Sequence, residues 1–375
     1  MRLPTKAVFS AGDLATALMA EARRPPPTAA RFALYQTITL VSFLPRIGGK
    51  SHGSQMLPIP RGLERIPDGF EGIQESEMGD IVPALSADQV LTYPLMEKPM
   101  NVYIWDLDET LILLRSLLNG SYAGAFDGLK DSYECFQIGK QWENIIIELC
   151  NEHFFFDEMI RYNEPYLNAL SEFDDGRDLA SFDFEADCFA SFHGAVDKRR
   201  RVYRLHAIGE KYVKGLEKIL DQDMLKVSTD LYDLTDKYTD GWLTSAHKLL
   251  EDALGKSAEA PAAVNSSSIH CIVTAGALIP CLAKCLLYRL DDVVSSENVY
   301  SSLKVGKLQC FKWIKERFDN PNVRFCVIGD GREEFRAAQT MKWPFIKIEF
   351  PPDAPHRFPG LDMPTVQAYM DAKNG

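Results

Sequence analysis

The chain has 375 residues, of which 46% are hydrophobic and 25% are charged, and its formal net charge is −12 at pH 7. This composition is typical of a globular protein with two or three domains, or with one domain that carries a large insertion. The negative net charge argues against direct binding to nucleic acid or to anionic lipid. No apolar stretch reaches the roughly 20 residues that a membrane-spanning helix needs, so no membrane association is expected.

The eight cysteines include no C-x-x-C pair, and several lie in apolar runs such as HCIVT. Free cysteines in such runs behave as small hydrophobic residues. The pattern therefore predicts a reducing, intracellular compartment.

Residues 1–60 are rich in arginine and lysine and contain only two acidic residues, Asp13 and Glu21. Basic, acid-poor N-termini are typical of organelle transit peptides, and equally of disordered tails or of sequence that the mature protein lacks. Residues 61–98 are polar, with scattered proline and glycine, and are predicted to form a linker.

The first predicted strand ends in an acidic cluster. Residues 102–105 are β-branched and aromatic, and Asp106, Asp108 and Glu109 follow directly. Burying an unpartnered charge is costly, so carboxylates at the end of a core strand usually meet a cation, a hydrogen-bond network or a substrate. A solvated acidic loop is the alternative. Glu109 is expected to be solvated or hydrogen-bonded away from a metal, although a supporting role is a second interpretation.

The region from 121 to 265 is predicted to be mostly helical. Helical spacing of apolar residues covers 142–156, 202–225 and 230–254, with a loop at 174–184 and a linker at 255–268. From Ile269 onward, short β runs alternate with helices, which predicts a doubly wound parallel α/β sheet. The predicted strands are 269–274, 323–329 and 344–350, and the predicted helices are 278–290, 306–318 and 332–342. The predicted core therefore comprises residues 99–120 and 266–375, and residues 121–265 form a helical cap inserted after the first strand.

Six residues fall where such a sheet would bring them together: Asp106, Asp108, Thr274, Lys307, Asp330 and Glu334. Singly, Thr274 could cap a helix, Lys307 could be solvated and Asp330 could belong to a turn. Together they offer a carboxylate nucleophile, a second acid, a hydroxyl and an ammonium for phosphate oxygens, and further carboxylates for a cation. The set predicts a phosphoryl-transfer site that uses Mg²⁺.

The motifs DLDET at 106–110, Thr274, Lys307 and GDGREE at 329–334 resemble those of the haloacid dehalogenase superfamily. The resemblance implies that Asp106 is the nucleophile and Asp108 the general acid/base. It implies that Asp106, Asp108 (through its backbone) and Asp330 bind Mg²⁺, and that Thr274 and Lys307 bind the phosphate. Glu334 could hold a metal-bound water.

Longer segments narrow the resemblance to the C-terminal domain of the Eyes absent family, and to its short, plant-type members. These segments are WDLDETLILLRSLLNGSYA, DDGRDLASFDF, GWLTSAHKLL, VTAGALIPCLAKCLLY, ENVYSSLKVGKLQCF and VIGDGREEF. The resemblance implies an Mg²⁺-dependent protein tyrosine phosphatase with a phosphotyrosine-containing protein as substrate. Residues 275–277, Ala-Gly-Ala, depart from the Thr-Thr-Gln that is expected there in animal members.

Two other functions fit the same sequence. One is a co-regulator module that binds a transcription factor, with incidental catalysis, and the other is a phosphatase of the same superfamily that acts on phosphoserine or on a small phosphorylated metabolite. The basic run KRRR at 198–201 is a candidate nuclear localisation signal, although such a run is more often a solvated surface. The expected location is the nucleus, the cytoplasm or both.

Overall fold

The computed structural model describes residues 100–187, 194–256 and 267–372. The predictions for residues 1–60 and 61–98 lie outside these residues. The core is a parallel sheet of five strands in the order β3-β2-β1-β4-β5. The strands are β1 (Met100–Trp105), β2 (Ser267–Thr274), β3 (Val299–Ser301), β4 (Val323–Gly329) and β5 (Phe345–Lys347). The prediction of an α/β fold with a parallel sheet is confirmed.

Strand β1 lies at the centre of the sheet and is buried on both faces. Its register pairs Trp105 with Ile272 of β2 on one side and with Ile328 of β4 on the other. Because successive side chains of a strand point to opposite faces, Val102 and Ile104 pack in one hydrophobic cluster while Tyr103 and Trp105 pack in another. This two-sided burial explains why residues 102–105 of the strand form a continuous run of apolar side chains.

Helices cover both faces of the sheet and make up most of the insertion. The helices of the described residues are α1 (Arg115–Leu118), α2 (Ser121–Gly124), α3 (Ser132–His153), α4 (Phe156–Met159), α5 (Ala195–Lys214), α6 (Gln222–Tyr238), α7 (Trp242–Ala253), α8 (Leu278–Leu287), α9 (Lys307–Arg317), α10 (Arg332–Met341) and α11 (Met363–Ala372). Short 3-10 turns lie at Ser171–Phe173, Leu216–Lys218 and Ser296–Asn298.

Two of the predicted helices are each broken in the middle. The helix predicted at 202–225 ends at Lys214, because Gly215 adopts a φ of 76°, and a new helix begins after Asp221, whose side chain accepts a hydrogen bond from the Met224 N–H. The helix predicted at 230–254 is interrupted in the same way by Gly241, which has a φ of 86°. The helical spacing of apolar residues continues across both breaks, so the sequence pattern does not reveal that each predicted helix is divided.

The insertion and the sheet share one hydrophobic cluster. The indole of Trp142 on α3 stacks on Tyr288, which follows α8, with ring centroids 4.1 Å apart. Trp242 donates a hydrogen bond from Nε1 to the carbonyl of Thr110, at 3.2 Å. These contacts anchor helices of the insertion to the core. The division into a core of 99–120 and 266–375 and a cap of 121–265 stays a prediction.

One buried polar network lies beside the central strand. Trp105 Nε1 donates to His270 Nδ1 at 3.0 Å, and His270 Nε2 lies 2.9 Å from the carbonyl of Leu250. Burial lowers the pKa of His270 to about 4, so its ring is neutral at pH 7. Since Nδ1 accepts a hydrogen bond, Nε2 carries the proton and donates to Leu250. The network joins β1, β2 and α7.

The cysteines within the described residues are free and buried, in agreement with the prediction that they behave as hydrophobic residues. None of the helices in these ranges combines the length and the apolar character needed to cross a membrane.

Candidate active site

Asp106 lies at the carboxyl end of the central strand, where the order of the strands reverses between β1 and β4. Its N–H donates to the carbonyl of Ile328 at 2.9 Å, which extends the β1–β4 pairing by one residue. Gly329 lies beside it, and a Cβ there would come within 3.3 Å of the Asp106 Cβ and 3.0 Å of the Glu334 Cγ. A glycine therefore lets the two carboxylates approach each other. Ligands of open α/β sheets bind at this kind of reversal point.

Lys307 is the cation of this site. It is the first residue of α9 and is only 1% exposed. Its ammonium donates hydrogen bonds to Asp106 Oδ1 and to Glu334 Oε1. Burial alone would lower the pKa of Lys307, but the two carboxylates outweigh burial and raise it, so the side chain is charged. The alternative of a solvated surface lysine is wrong.

Asp106, Asp330 and Glu334 form a cluster of carboxylates, in which one oxygen from each lies within 4.8 Å of the others. Burial raises the pKa of Asp106 well above its usual value; Lys307 opposes this, and Glu334 and Asp330 add to it. Burial, followed by repulsion from Glu334, raises the pKa of Asp330 to about 6. The Lys307 ammonium, with a smaller contribution from Arg115 at Asp330, therefore faces three carboxylates that repel one another, so the cluster has less positive than negative charge.

The cluster contains an unpartnered atom that fits a bound cation. Glu334 Oε2 is buried and has no hydrogen-bond partner among the described residues, and a Cβ on Gly331 would lie 2.3 Å from it. Buried oxygens without a partner are rare in proteins, and carboxylate oxygens are the ligands that Mg²⁺ prefers. The residues present therefore fit the Mg²⁺ that the sequence predicts. The geometry groups Glu334, rather than the side chain of Asp108, with Asp106 and Asp330.

The side chain of Asp108 points to a different partner, Lys284 of α8. Lys284 Nζ lies 2.6 Å from Asp108 Oδ1, and the two side chains are 6% and 31% exposed. Burial would lower the pKa of Lys284, but Asp108 outweighs it and raises that pKa. Lys284 is not among the residues predicted from the sequence motifs. The available signal was a single charge in the apolar run LIPCLAKCLL, where every residue of the helix is buried.

Glu109 supports the loop that follows the nucleophile. It is 4% exposed and has a positive φ of 65°. Its Oε1 accepts hydrogen bonds from the N–H groups of Leu114, Arg115 and Ser116, at 3.1, 2.7 and 3.2 Å. The prediction of a hydrogen-bonded glutamate is confirmed, and the solvated alternative is wrong. Glu109 thus caps α1 and closes the turn that carries Asp108.

Replacement of Glu109 by alanine should destabilise the protein. Three buried or half-buried N–H groups would lose their acceptor, and each orphaned donor costs about 1–3 kcal/mol, so we expect a loss of roughly 3 kcal/mol or more in the free energy of unfolding. Glu109→Gln keeps one carbonyl acceptor and should lose about 1 kcal/mol. Urea unfolding of both variants checks this. Equal stability of the alanine variant and the wild type would contradict the capping role.

Thr274 ends β2 and is 1% exposed. Its hydroxyl accepts a hydrogen bond from the Gly276 N–H at 3.0 Å, and its carbonyl accepts from both the N–H and the hydroxyl of Ser302, at 2.8 and 2.9 Å. The helix that follows begins at Leu278, so Thr274 closes a turn and does not cap that helix. This places its hydroxyl in the loop at the active-site edge of the sheet.

A residue of the insertion holds the same loop. Asn163 accepts a hydrogen bond from the Leu278 N–H and donates one to the Ser301 hydroxyl, both at 2.9 Å. That hydroxyl in turn donates to the carbonyl of Gly276 at 2.6 Å. Asn163 and Ser301 are not among the residues predicted from the sequence. Nothing in the sequence near Asn163 indicates that it would bind the N–H of Leu278, 115 positions further along the chain.

The basic run at 198–201 lies on helix α5, and each of its side chains has a partner. Lys198 lies over the ring of Phe173, Arg199 pairs with Asp175, Arg200 with Asp187, and Arg201 with Glu164 and Asp197. These contacts account for the four charges within the folded insertion. Localisation to the nucleus or the cytoplasm stays a prediction.

A second group of potential metal ligands, His247, Glu251 and Asp292, lies at the surface. His247 Nε2 is 2.9 Å from Asp292, and Nδ1 is 3.6 Å from Glu251. Hydrogen bonding to Asp292 raises the pKa of His247 despite burial, which favours a protonated ring. Ion pairs between His247 and the two carboxylates therefore explain why these three side chains lie close together, without a bound metal.

The chain is similar to several curated proteins, whereas no family model matches it. Protein phosphatase EYA of Arabidopsis thaliana is 50% identical over 281 residues, which cover 74% of this chain and 92% of that protein. Protein phosphatase EYA2 of Homo sapiens is 35% identical over 66% of this chain and 47% of that protein. Protein phosphatase eya of Drosophila melanogaster is 30% identical over 72% of this chain and 36% of that protein.

The parallel sheet, the site at its reversal point and these relatives define a protein phosphatase of the haloacid dehalogenase type. The extent of the match to the Arabidopsis protein makes the assignment more specific. The chain belongs to the Eyes absent family. The resemblance stated from the sequence is confirmed.

Proposed function

We propose that the chain is an Mg²⁺-dependent protein tyrosine phosphatase that uses Asp106 as its nucleophile. The observation that carries the proposal is the placement of Asp106 at the reversal point of the sheet, in contact with the Lys307 ammonium and grouped with Asp330 and Glu334. A carboxylate at such a point can attack a phosphorus atom while the surrounding charges orient it.

In the first step, a carboxylate oxygen of Asp106 attacks the phosphorus of the substrate. A bond forms between that oxygen and phosphorus, and the bond from phosphorus to the phenolic oxygen breaks. Asp108 donates a proton to the departing phenolic oxygen, which leaves as tyrosine. Lys307 lies against Asp106 and would contact the phosphoryl oxygens together with the Thr274 hydroxyl.

In the second step, water attacks the phosphorus of the aspartyl phosphate. Asp108, now ionised, accepts a proton from that water, and the bond from phosphorus to the Asp106 oxygen breaks. Inorganic phosphate leaves, and both aspartates return to their starting states. The same side chain thus acts as acid and then as base.

Mg²⁺ would be held by Asp106 and Asp330, with Glu334 beside it, and by the backbone carbonyl of Asp108. When bound, the cation neutralises charge on the carboxylates and on the transferring phosphoryl group. The unpartnered Glu334 Oε2 supports this assignment, because that oxygen could bind the ion directly or through a water.

Selectivity for phosphotyrosine is supported by an apolar cleft beside the loop that follows Thr274. Phe156, Tyr162, Leu278 and Leu303 contribute to its walls, so the insertion forms one side and the core forms the other. The cleft holds only about 40 Å³, so its apolar walls would contact an edge of the aryl ring and would not enclose it, a contact that the short, polar serine side chain could not make. Part of the half-exposed surface of Leu303 would be covered by such a ring.

The test is a panel of peptides that share one sequence and carry phosphotyrosine, phosphoserine or phosphothreonine, together with a sugar phosphate. Each is assayed with Mg²⁺ and with excess EDTA. We expect kcat/KM for phosphotyrosine to exceed that for phosphoserine by at least about 10-fold, and EDTA to remove at least about 99% of the activity.

If the enzyme preferred phosphoserine or the sugar phosphate, phosphotyrosine would not be its substrate and that part of the proposal would be wrong. Full activity in EDTA would contradict the metal assignment. Absence of turnover on every substrate would favour the co-regulator function.

A further inference from the structure

We infer that Lys284 is a positioning residue that holds Asp108 in the orientation needed for proton transfer. The inference rests on the proposed function, because it assigns Asp108 the role of general acid and base. It adds a residue of α8 to the site, and it assigns the two oxygens of Asp108 to two different tasks.

The geometry places Lys284 behind Asp108. Lys284 is 5% exposed, on a helix whose residues are all buried, and its ammonium lies 2.6 Å from Asp108 Oδ1. Asp108 itself is about one third exposed. The lysine therefore holds the carboxylate from the protein interior, and the rest of the Asp108 side chain is open to solvent.

The position of Lys284 is unfavourable for stability alone. An ion pair in an apolar interior often contributes no more than a well-packed hydrophobic pair, because both charges lose their hydration. The neighbours of Lys284 on α8 are leucine, alanine and cysteine, among which a methionine of similar length would pack without that cost. A charge at this position therefore requires an explanation other than packing, and its contact with Asp108 provides one.

The contact limits how Asp108 can rotate. With Oδ1 bound to the ammonium, rotation of the carboxylate is restricted, and we assign Oδ2 to the phenolic leaving group and then to the attacking water. The backbone adds to this restriction, because the Glu109 N–H donates to the Ile112 carbonyl at 2.7 Å and closes the loop next to Asp108. Proton transfer requires an approach of about 2.6–3.2 Å between heavy atoms, so a freely rotating carboxylate would be productive for less of the time.

The test compares two substrates that differ in their need for an acid. Phosphotyrosine releases a phenol with a pKa of about 10, whereas an aryl phosphate with electron-withdrawing substituents releases a more acidic phenol that needs less protonation. The ratio of the two kcat/KM values does not depend on the amount of folded enzyme, and kcat/KM reports the step in which the phenol departs. The ratio therefore remains informative if a variant folds poorly.

We expect Lys284→Met to lower kcat/KM for a phosphotyrosine peptide by about 10- to 100-fold and for the activated aryl phosphate by less than about 3-fold. In an Asp108→Asn background, measured on the residual turnover of the phosphotyrosine peptide, Lys284→Met should add less than about 2-fold, because the side chain through which it acts is already gone. Lys226→Met removes an exposed lysine that pairs with Asp230, and it should change neither value.

Equal losses on both substrates, or a full additional loss in the Asp108→Asn background, would overturn the positioning role. If the wild type hydrolyses the phosphotyrosine peptide and Lys284→Met hydrolyses it with the same kcat/KM, the positioning role is overturned and the proposed function stands. A wild type without phosphatase activity would instead contradict the proposed function, so the two failures are distinguishable.

Discussion

Asp106→Asn should lower kcat for a phosphotyrosine peptide by at least about 10³-fold, because an amide cannot attack phosphorus as a carboxylate does. The change keeps the size of the side chain, and Lys307 retains its second partner, Glu334. The variant should therefore fold, and it should still bind the phosphopeptide. Steady-state kinetics, together with binding of a labelled phosphopeptide, measures the two properties separately.

The matched control is Asp223→Asn, which makes the same chemical change in the first turn of α6, at an exposed position. Its kcat should equal that of the wild type, because a surface charge far from the reacting atoms contributes little. Turnover by Asp106→Asn within about 10-fold of the wild type would contradict a nucleophilic role and indicate that another group attacks phosphorus.

The sequence predicts which residues the fold brings to one edge of the sheet, because these residues follow the ends of strands. A parallel sheet brings the ends of β1, β2 and β4 to one edge, so strand-ending motifs hundreds of residues apart converge without any knowledge of side-chain packing. Asp106 and Asp330 are of this kind. The alternation of strands and helices after Ile269 gives the fold class for the same reason.

Some contacts between side chains depend on how a helix is rotated about its own axis. The positions of strand ends in the sequence do not predict these contacts. Whether Lys284 faces Asp108 or the solvent depends on how α8 packs against α3 and β3, and apolar periodicity alone does not distinguish these outcomes. The hydrogen bonds of Asn163 depend on the path of a loop in the insertion, which has no periodic pattern at all. The edge strand β3 was missed because three residues are too few for a period-two pattern.

Lys307→Met should have the largest effect on stability. Among the described residues, the Lys307 ammonium is the cation that contacts both Asp106 and Glu334, and all three side chains are buried. Removing one partner of a buried ion pair leaves an uncompensated charge and typically costs about 3–5 kcal/mol. We expect a loss of that size in the free energy of unfolding, measured with urea in the presence of EDTA.

Mg²⁺ should restore part of the stability that Lys307→Met loses. A cation that binds the folded state and not the unfolded state stabilises the protein, by about 2.7 kcal/mol at a concentration 100 times its Kd. With one ammonium missing, Asp106, Asp330 and Glu334 would repel one another more strongly, so a divalent ion should compensate more in the variant than in the wild type.

Lys130→Met is the matched control, since Lys130 is also largely buried and binds Asp240 and the carbonyl of Tyr238, in the insertion. Its loss of stability should be the same in EDTA and in Mg²⁺, because its partner Asp240 belongs to neither group of potential metal ligands found in the described part of the chain. If Mg²⁺ raised the stability of both variants equally, the effect would be general and the carboxylate cluster would not be the metal site. If Lys307→Met lost less than about 1 kcal/mol in EDTA, the ammonium would not be neutralising these carboxylates in the folded protein.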